Sequence, residues 1–199
     1  MALISSIIVI VILIGGLIWL ANRKPREGFI AYTIKKGRVL SDNNIISLLD
    51  KSSTIIAVFA ESCWFETESL YIRKNILFGI SYGFDSNYNS IKLHWKPIGI
   101  RGRKLIAIYL SVISRGEYNI TTHLCNVELS EEVFFRIQRG ATKDMTDVVV
   151  IHKGKRYHYD NLPRCEEGFP RFRIYPRVNY KAPQDLKIYI KDINFTYTF

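Results

Sequence analysis

Apolar and polar residues alternate in many short segments of this chain, and long helical patterns do not separate those segments. In the segment Val133–Gln138, for example, Val133, Phe135 and Ile137 share one face of an extended chain. The segment Asp185–Phe195 has the same period of two. Such a pattern without intervening helices predicts antiparallel sheets that pack face to face, and not a parallel α/β sheet.

The predicted strands are short, rich in Ile, Val, Phe and Tyr, and bounded by Gly, Asn, Asp or Pro. They are Phe29–Lys36, Thr54–Ala60, Leu77–Tyr82, Ser90–Lys96, Lys104–Ile113, Tyr118–Val127, Val133–Gln138, Asp147–His152, Lys155–Tyr159, Phe172–Pro176 and Asp185–Phe195. A short helix is predicted at Ser41–Leu49. This number of strands exceeds that of a minimal immunoglobulin sandwich. It predicts an all-β fold, an antiparallel two-sheet jelly-roll sandwich.

A continuous apolar run from Ala2 to Ala21 precedes the strand pattern. Twenty helical residues rise about 30 Å, the thickness of the hydrocarbon layer of a bilayer. A cleaved signal peptide is the alternative, but Trp19 is a poor residue three positions before a cleavage site. We therefore predict one N-terminal transmembrane helix at 1–21, a basic linker at 22–28 and a β-sandwich domain at 29–199.

Three basic residues follow the apolar run directly, namely Arg23, Lys24 and Arg26. Basic residues prefer the cytoplasmic side of a membrane, because translocating them costs free energy and anionic lipids attract them. The sequence therefore predicts a single-pass membrane protein with its domain on the cytoplasmic side. A virion membrane or a bacterial envelope is the alternative location.

The formal net charge of +10 belongs entirely to the part of the chain after the apolar run. Such a charge favours anionic partners: lipid headgroups, nucleic acid or acidic glycans. Solvated lysines on strand faces are the alternative explanation. Two basic clusters that contain glycine, at 101–104 and 153–156, are typical of hairpin tips.

Cysteines and histidines exclude several kinds of site. The three cysteines, Cys63, Cys125 and Cys165, contain no C-x-x-C pair, so a disulfide framework and a zinc site are both disfavoured. The four histidines lack the spacing of a metal site. We predict no cofactor and no metal ion.

Several short motifs resemble a family of uncharacterised proteins from Bacteroidetes bacteria and their phages. They are 61–65 (ESCWF), 75–83 (NILFGISYG), 89–95 (NSIKLHW), 175–176 (YP) and 182–188 (APQDLKI). The family's pattern differs at Ala60, Ile76, Lys96 and Gln184, and at 177–179. The strand pattern of that family resembles the concanavalin A-like lectin/glucanase jelly roll. This resemblance implies a saccharide-binding sheet or a protein-contact surface, and it alone leaves calcium binding open.

Catalytic motifs are scarce. A glycosidase on such a fold needs two carboxylates on either side of the scissile bond. The candidate pairs are Glu66 with Glu68, and Glu131 with Glu132, but exposed surface acids are the favoured explanation for both pairs. No P-loop, G-x-S-x-G or G-x-G-x-x-G motif occurs. We therefore expect binding without catalysis, with glycoside hydrolysis as the only enzymatic candidate.

The predicted function is recognition of a saccharide or another anionic surface by a lectin-like module. The alternative is a structural or interaction protein of a phage virion or bacterial envelope. Partners would be a membrane, a saccharide or anionic polymer, and a protein in a larger assembly. Aromatic faces stack on sugar rings while amides and charged groups fix the hydroxyls. The candidate ligand-binding residues are Trp64, Tyr88, His94, Trp95, Arg101 and Arg103.

Overall fold

The structure is a computed structural model that describes residues 27–43, 53–66, 74–139, 145–163 and 171–193. Its strands are β1 (Ile30–Ile34), β2 (Ser53–Phe59), β3 (Asn75–Tyr82), β4 (Ser90–Ile100), β5 (Arg103–Ser114), β6 (Glu117–Glu128), β7 (Glu132–Arg139), β8 (Met145–His152), β9 (Lys155–Pro163), β10 (Arg171–Ile174) and β11 (Leu186–Asp192). Each predicted strand overlaps an observed one. The all-β prediction is therefore confirmed.

The strands form two antiparallel sheets. The six-stranded sheet has the order β1-β11-β2-β7-β8-β9, and the five-stranded sheet has the order β10-β3-β4-β5-β6. Phe59 of one sheet and Trp95 of the other meet between them, with ring centroids 5.6 Å apart. The alternating apolar residues of both sheets form one buried cluster there. The prediction of a two-sheet sandwich is thus confirmed.

Two of the tight hairpins occur at the predicted basic clusters. Arg101 and Gly102 connect β4 to β5, with φ angles of 50° and 76°. Lys153 and Gly154 connect β8 to β9, with φ angles of 50° and 73°. Two positive φ angles match the twist of the flanking strands, and this is why glycine occupies the second position.

Strand β4 continues past its predicted end at Lys96 to Ile100. The predicted end preceded Pro97, which lacks a backbone N–H and is disfavoured inside a sheet. β3 pairs with β4 only as far as Trp95, whereas β5 pairs with β4 through Ile100. Pro97 therefore lies where β4 has one strand neighbour, and its missing donor is tolerated.

No helix within the described ranges is long and apolar enough to cross a membrane. The helix that these ranges contain is a 3-10 turn of three residues, Glu61–Cys63. A bilayer requires about 20 helical residues. We therefore correct the predicted single-pass membrane localisation, including its virion or envelope alternative. The predicted span at 1–21, the basic residues Arg23, Lys24 and Arg26, and most of the helix predicted at Ser41–Leu49 lie outside the described residues.

Strands β3 and β4 approach closely at Gly79. A Cβ atom at this position would lie 2.4 Å from the Ile91 carbonyl oxygen and 3.1 Å from the Lys92 Cα atom, both in the β4 backbone. We expect Gly79→Ala to lower the free energy of unfolding by roughly 1–3 kcal/mol, because the two strands must separate. Urea denaturation would measure this change.

Gly99 provides the matched control for that substitution. It lies in β4, the strand that pairs with β3, but a Cβ atom there would meet nothing within 4 Å. Gly99→Ala should be neutral or stabilise the fold by up to about 1 kcal/mol, since alanine restricts the unfolded chain. Equal losses of stability for the two variants would contradict the predicted clash at Gly79.

Candidate functional site

The outer side of the five-stranded sheet carries polar side chains in regular positions. In β4, Ile91, Leu93 and Trp95 point into the core, so Lys92 and His94 between them point outward. Strands β5 and β6 continue this surface through residue pairing. We call the surface the polar face, and it comprises Lys92, His94, Lys96, Tyr109, Ser111, Thr121, His123 and Asn126.

Three aromatic rings lie side by side across the polar face. Tyr109 of β5 pairs with His94 of β4 on one side and with His123 of β6 on the other. The Tyr109 and His123 centroids are 5.3 Å apart with a T-shaped geometry. The His123 Nε2 atom lies 2.7 Å from Asn126 Oδ1, and this hydrogen bond fixes the imidazole ring. The row is therefore ordered before any ligand binds.

The buried imidazole of His94 is neutral at physiological pH. Burial is the main reason that its pKa falls to about 4, and the neighbouring charges of Lys92 and Lys74 lower it further. The backbones of Lys74 and Asn75 adjoin the ring, but neither ring nitrogen makes a hydrogen bond of good geometry with the described residues. His94 is thus an uncharged, buried member of the row, and it exposes neither ring nitrogen to solvent.

Lys92 is a buried cation in the polar face. Lys92 is 2% exposed, and its Nζ atom donates a hydrogen bond of 3.3 Å to Asn87 Oδ1. Burial lowers the pKa of Lys92 to about 8; the nearby charge of Arg177 adds to the decrease and Asp85 opposes it. Both burial and a like charge disfavour the protonated amine.

A cavity of about 160 Å³ lies at the β10 edge of the polar face. We call it the edge cavity, and it is lined by Leu40, Ser81, Gly83, Phe84, Ser86, Phe172, Arg173, Ile174, Tyr175 and Arg177. Phe84 is 91% exposed, and its ring centroid is 4.9 Å from that of Phe172. Arg177 places its Nη2 atom 3.4 Å from Ser86 Oγ. The cavity therefore combines an exposed aromatic pair, hydroxyl groups and a guanidinium group.

Two of the predicted ligand-binding residues occupy opposite sides of the same strand. His94 belongs to the polar face, as described above. Trp95 is completely buried in the core, where it packs on Phe59. Adjacent residues of a strand point to opposite faces, so the two side chains cannot contact one ligand.

The other predicted ligand-binding residues lie at opposite ends of β4. Tyr88, which is half exposed, precedes this strand of 11 residues, whereas Arg101 and Arg103 follow it. Trp64 lies at the second end, where its Nε1–H donates to the Ile98 carbonyl at 3.1 Å. A strand of this length extends about 33 Å. The predicted set is therefore not brought together into one site.

Charged residues at the second end of β4 pair with one another. Arg103 forms an ion pair with Glu128, and Lys153 lies 2.9 Å from Glu131. His152 Nε2 lies 2.9 Å from the other carboxylate oxygen of Glu131. Burial alone would raise the pKa of Glu131, but hydrogen bonds from Lys153 and His152 outweigh it and lower the pKa. Arg103 and Glu131 are therefore both engaged by oppositely charged neighbours within the fold.

The described residues contain no group of three or more His, Cys, Asp or Glu side chains that could hold a metal ion. Glu68 of the other candidate carboxylate pair lies outside the described residues. Cys63 and Cys125 are free and buried, and burial raises their pKa values to about 12 and about 11. Such thiols are poor nucleophiles at neutral pH.

Sequence reasoning missed most of the residues that face outward from this sheet. Lys92, Lys96, Tyr109 and His123 were not among the candidates, although their alternation with apolar residues in β4, β5 and β6 is visible in the sequence. Arg177 follows β10 and has no such signal. Its position depends on pairing between its backbone and that of Ile76, about 100 residues earlier in the chain.

Comparison with known proteins identifies similar structures but no family. No family model matches the sequence, and no curated protein matches it. The resemblance to the Bacteroidetes and phage proteins is therefore not shown by these comparisons.

Three solved structures illustrate the similarity. A functionally unknown protein from Saccharomyces cerevisiae has a TM-score of 0.48 at 11% identity, covering 84% of this chain and 90% of its own. Alginate lyase from Alteromonas sp. 272 has a TM-score of 0.48 at 8% identity, and the match covers 86% of this chain and 89% of the lyase chain. CG-16, a homodimeric agglutinin from chicken liver, has a TM-score of 0.35 at 14% identity, and the match covers 72% of this chain and 98% of the agglutinin chain. Because these scores are below 0.5, the class assigned here, an all-β two-sheet sandwich, rests on this chain's own topology.

Proposed function

We propose that this domain is a non-enzymatic saccharide-binding module of the concanavalin A-like jelly-roll type and that the polar face is its binding surface. The order of strands supports the jelly roll, because the chain passes repeatedly between the two sheets, from β2 to β3, from β6 to β7, from β9 to β10 and from β10 to β11. The observation that carries the proposal is the contact between the half-buried ring of Tyr109 and the exposed ring of His123 on adjacent strands, beside the buried His94.

The chemistry of the polar face suits a sugar. Aromatic rings contact the apolar C–H groups of a pyranose, and amide, hydroxyl and charged groups fix its hydroxyls. Tyr109 provides the ring, while Asn126 and Thr121 provide an amide and a hydroxyl group on the same surface. Strands of a sheet hold these groups rigidly, so little conformational entropy is lost when a ligand binds.

Binding without hydrolysis is proposed because Glu131, one of the candidate catalytic acids, is engaged by His152 and Lys153 at the end of the sandwich. A glycosidase would require two carboxylates placed on both sides of a bound glycosidic bond.

Titration of the full chain with a panel of neutral and acidic polysaccharides tests the proposal. We expect at least one polymer to bind, and we expect His123→Ala to weaken its binding about tenfold, which corresponds to about 1.4 kcal/mol. His158→Ala is the matched control, since His158 is also exposed but lies in β9 of the six-stranded sheet. Failure of every polysaccharide to bind, or equal losses in the two variants, would contradict the proposal.

A further inference from the structure

We propose that the saccharide recognised by the polar face is a polymer of acidic sugars, whose carboxylates are held by two cationic pairs. This inference rests on the saccharide-binding function proposed above and specifies its ligand class. The first pair is Arg177, which lines the edge cavity, and Lys92, which is buried outside that lining. The second pair is Lys74 and Lys96, which lie further along the same surface.

The first pair brings two positive charges close together in a partly buried position. Lys92 is 2% exposed, Arg177 is half-buried, and the two side chains are close enough for the charge of Arg177 to lower the pKa of Lys92. The hydrogen-bond acceptors of these two side chains are the neutral oxygens of Asn87 and Ser86.

Among the described residues, neither Lys92 nor Arg177 forms an ion pair with a carboxylate, although Asp85 is near enough to influence Lys92. The Nε atom of Arg177 is buried without a hydrogen-bond partner in the described part of the chain. Burying cations without a counterion costs free energy. A ligand carboxylate would recover that cost through charge-assisted hydrogen bonds, so the arrangement selects an anionic ligand.

The edge cavity combines this charge with an apolar surface. Its wall contains Arg177 together with the stacked rings of Phe84 and Phe172. Phe84 exposes 91% of its surface, so its ring is open to contact by a ligand. A uronic acid presents an apolar C–H face and a carboxylate on a single ring. The cavity therefore matches both parts of one such sugar residue.

The second pair extends the recognition along the sheet. Lys74 places its Nζ atom 4.1 Å from the Tyr109 ring centroid. Burial lowers the pKa of Lys74, and the charge of Lys96 lowers it further. Lys96 follows Lys92 by four residues in β4, which corresponds to about 13 Å. A single carboxylate cannot reach both pairs, whereas a chain of acidic sugars presents carboxylates at repeated intervals.

Polygalacturonate and its fully methyl-esterified form are the probes for this inference. They share one sugar backbone and differ in charge, so their comparison isolates the carboxylate. We expect polygalacturonate to bind at least tenfold more tightly to the full chain at pH 7, and we expect Arg177→Gln to remove most of that difference. Arg177→Lys should retain part of it, because the charge remains while the forked donor is lost.

The control is Arg156→Gln, which removes the same charge from an exposed position in β9 of the other sheet. This variant should bind polygalacturonate as the unmodified chain does. If Arg156→Gln weakens binding as much as Arg177→Gln, general charge attraction explains the binding and the inference is overturned.

The remaining outcomes separate this inference from the function on which it rests. Equal affinities for the acidic and esterified polymers would overturn the acidic ligand class and leave saccharide binding intact. Failure of both polymers and of all neutral polysaccharides to bind would overturn the proposed function itself. If single-stranded DNA bound more tightly than polygalacturonate, and Arg177→Gln abolished that binding, the cations would be binding phosphates. This result would overturn the inference. Equal affinities for galacturonate monomer and polymer would overturn the role of the second pair.

Discussion

Lys92→Met should increase the free energy of unfolding at pH 7 by about 2–3 kcal/mol. The physical reason is that the folded state must protonate a buried amine whose pKa has fallen from 10.5 to about 8, and each unit of pKa corresponds to about 1.4 kcal/mol. Loss of the hydrogen bond from Lys92 to Asn87 offsets about 1 kcal/mol of this gain. Methionine has a similar shape and length and no charge to desolvate. A stabilisation of this size should raise the melting temperature by roughly 4–12 °C.

The pH dependence distinguishes this mechanism from improved packing. Below pH 8, Lys92 is protonated in both the folded and the unfolded state, and its full destabilising effect is present. Between about pH 8 and 10.5 the unfolded state binds more protons than the folded state, so the stability of the unmodified chain rises with pH. The advantage of Lys92→Met should therefore decrease across this window. A constant advantage from pH 6 to 11 would contradict the predicted shift in pKa.

The same substitution should weaken binding of polygalacturonate, because the positive charge of the pair formed by Lys92 and Arg177 is reduced. In the unmodified chain, affinity should decrease as the pH rises above about 8, and in Lys92→Met this dependence should be absent. Lys187→Met is the control, since Lys187 is exposed in β11 of the other sheet. We expect it to change stability by less than about 0.5 kcal/mol and to leave binding unchanged. Increased stability together with lost affinity is the signature of a residue retained for function.

Trp95→Ala should lower the free energy of unfolding by about 3–5 kcal/mol, the usual cost of removing a large aromatic side chain from a core. Trp95 is completely buried, and its contact with Phe59 joins the two sheets. A loss of this size corresponds to a decrease in melting temperature of roughly 6–20 °C. Differential scanning calorimetry would measure it.

Trp64→Ala is the comparison for this experiment. Trp64 is half-buried, donates one hydrogen bond to the Ile98 carbonyl, and lies 4.7 Å from Lys104 Nζ. We expect a loss of about 1–2 kcal/mol, because the hydrogen bond and the cation–π contact are each worth about 1 kcal/mol. Trp95→Phe should cost less than Trp95→Ala, since a phenyl ring retains most of the contact. If Trp64→Ala destabilised the fold as strongly as Trp95→Ala, the assignment of Trp95 as the main core tryptophan would be wrong.

The strands were predictable because their signal is local. In 133–138 the apolar residues repeat every second position, and the structure pairs β7 with β2 and β8 so that Val133, Phe135 and Ile137 are buried. The predicted strand Ser90–Lys96 is shorter than the observed β4, and it ends just before Pro97, a residue disfavoured inside a central strand. Strand β4 continues because β3 stops pairing at Trp95, and no local pattern contains that information.

The candidate site was predicted less well, and part of that error was avoidable. His94 and Trp95 were proposed for one site although neighbouring strand residues face opposite sides. Applying the period of two to β4 would have assigned Trp95 to the core with Ile91 and Leu93, and Lys92 to the same surface as His94. The nearness of Arg177 to Lys92 was not predictable in this way. It depends on the path of the chain after β10, which brings Arg177 back to Ile76.

The amino-acid sequence alone determined the all-β character, the positions of the strands, the glycine-containing hairpins and the excess positive charge. Each of these follows from interactions between residues close in the chain or from composition. The tertiary structure decided the order of the strands in the two sheets, the row formed by His94, Tyr109 and His123, and the pairing of Lys92 with Arg177. These features join residues distant in sequence, and they arise only when the two sheets bury their apolar faces against each other and leave the polar face outside.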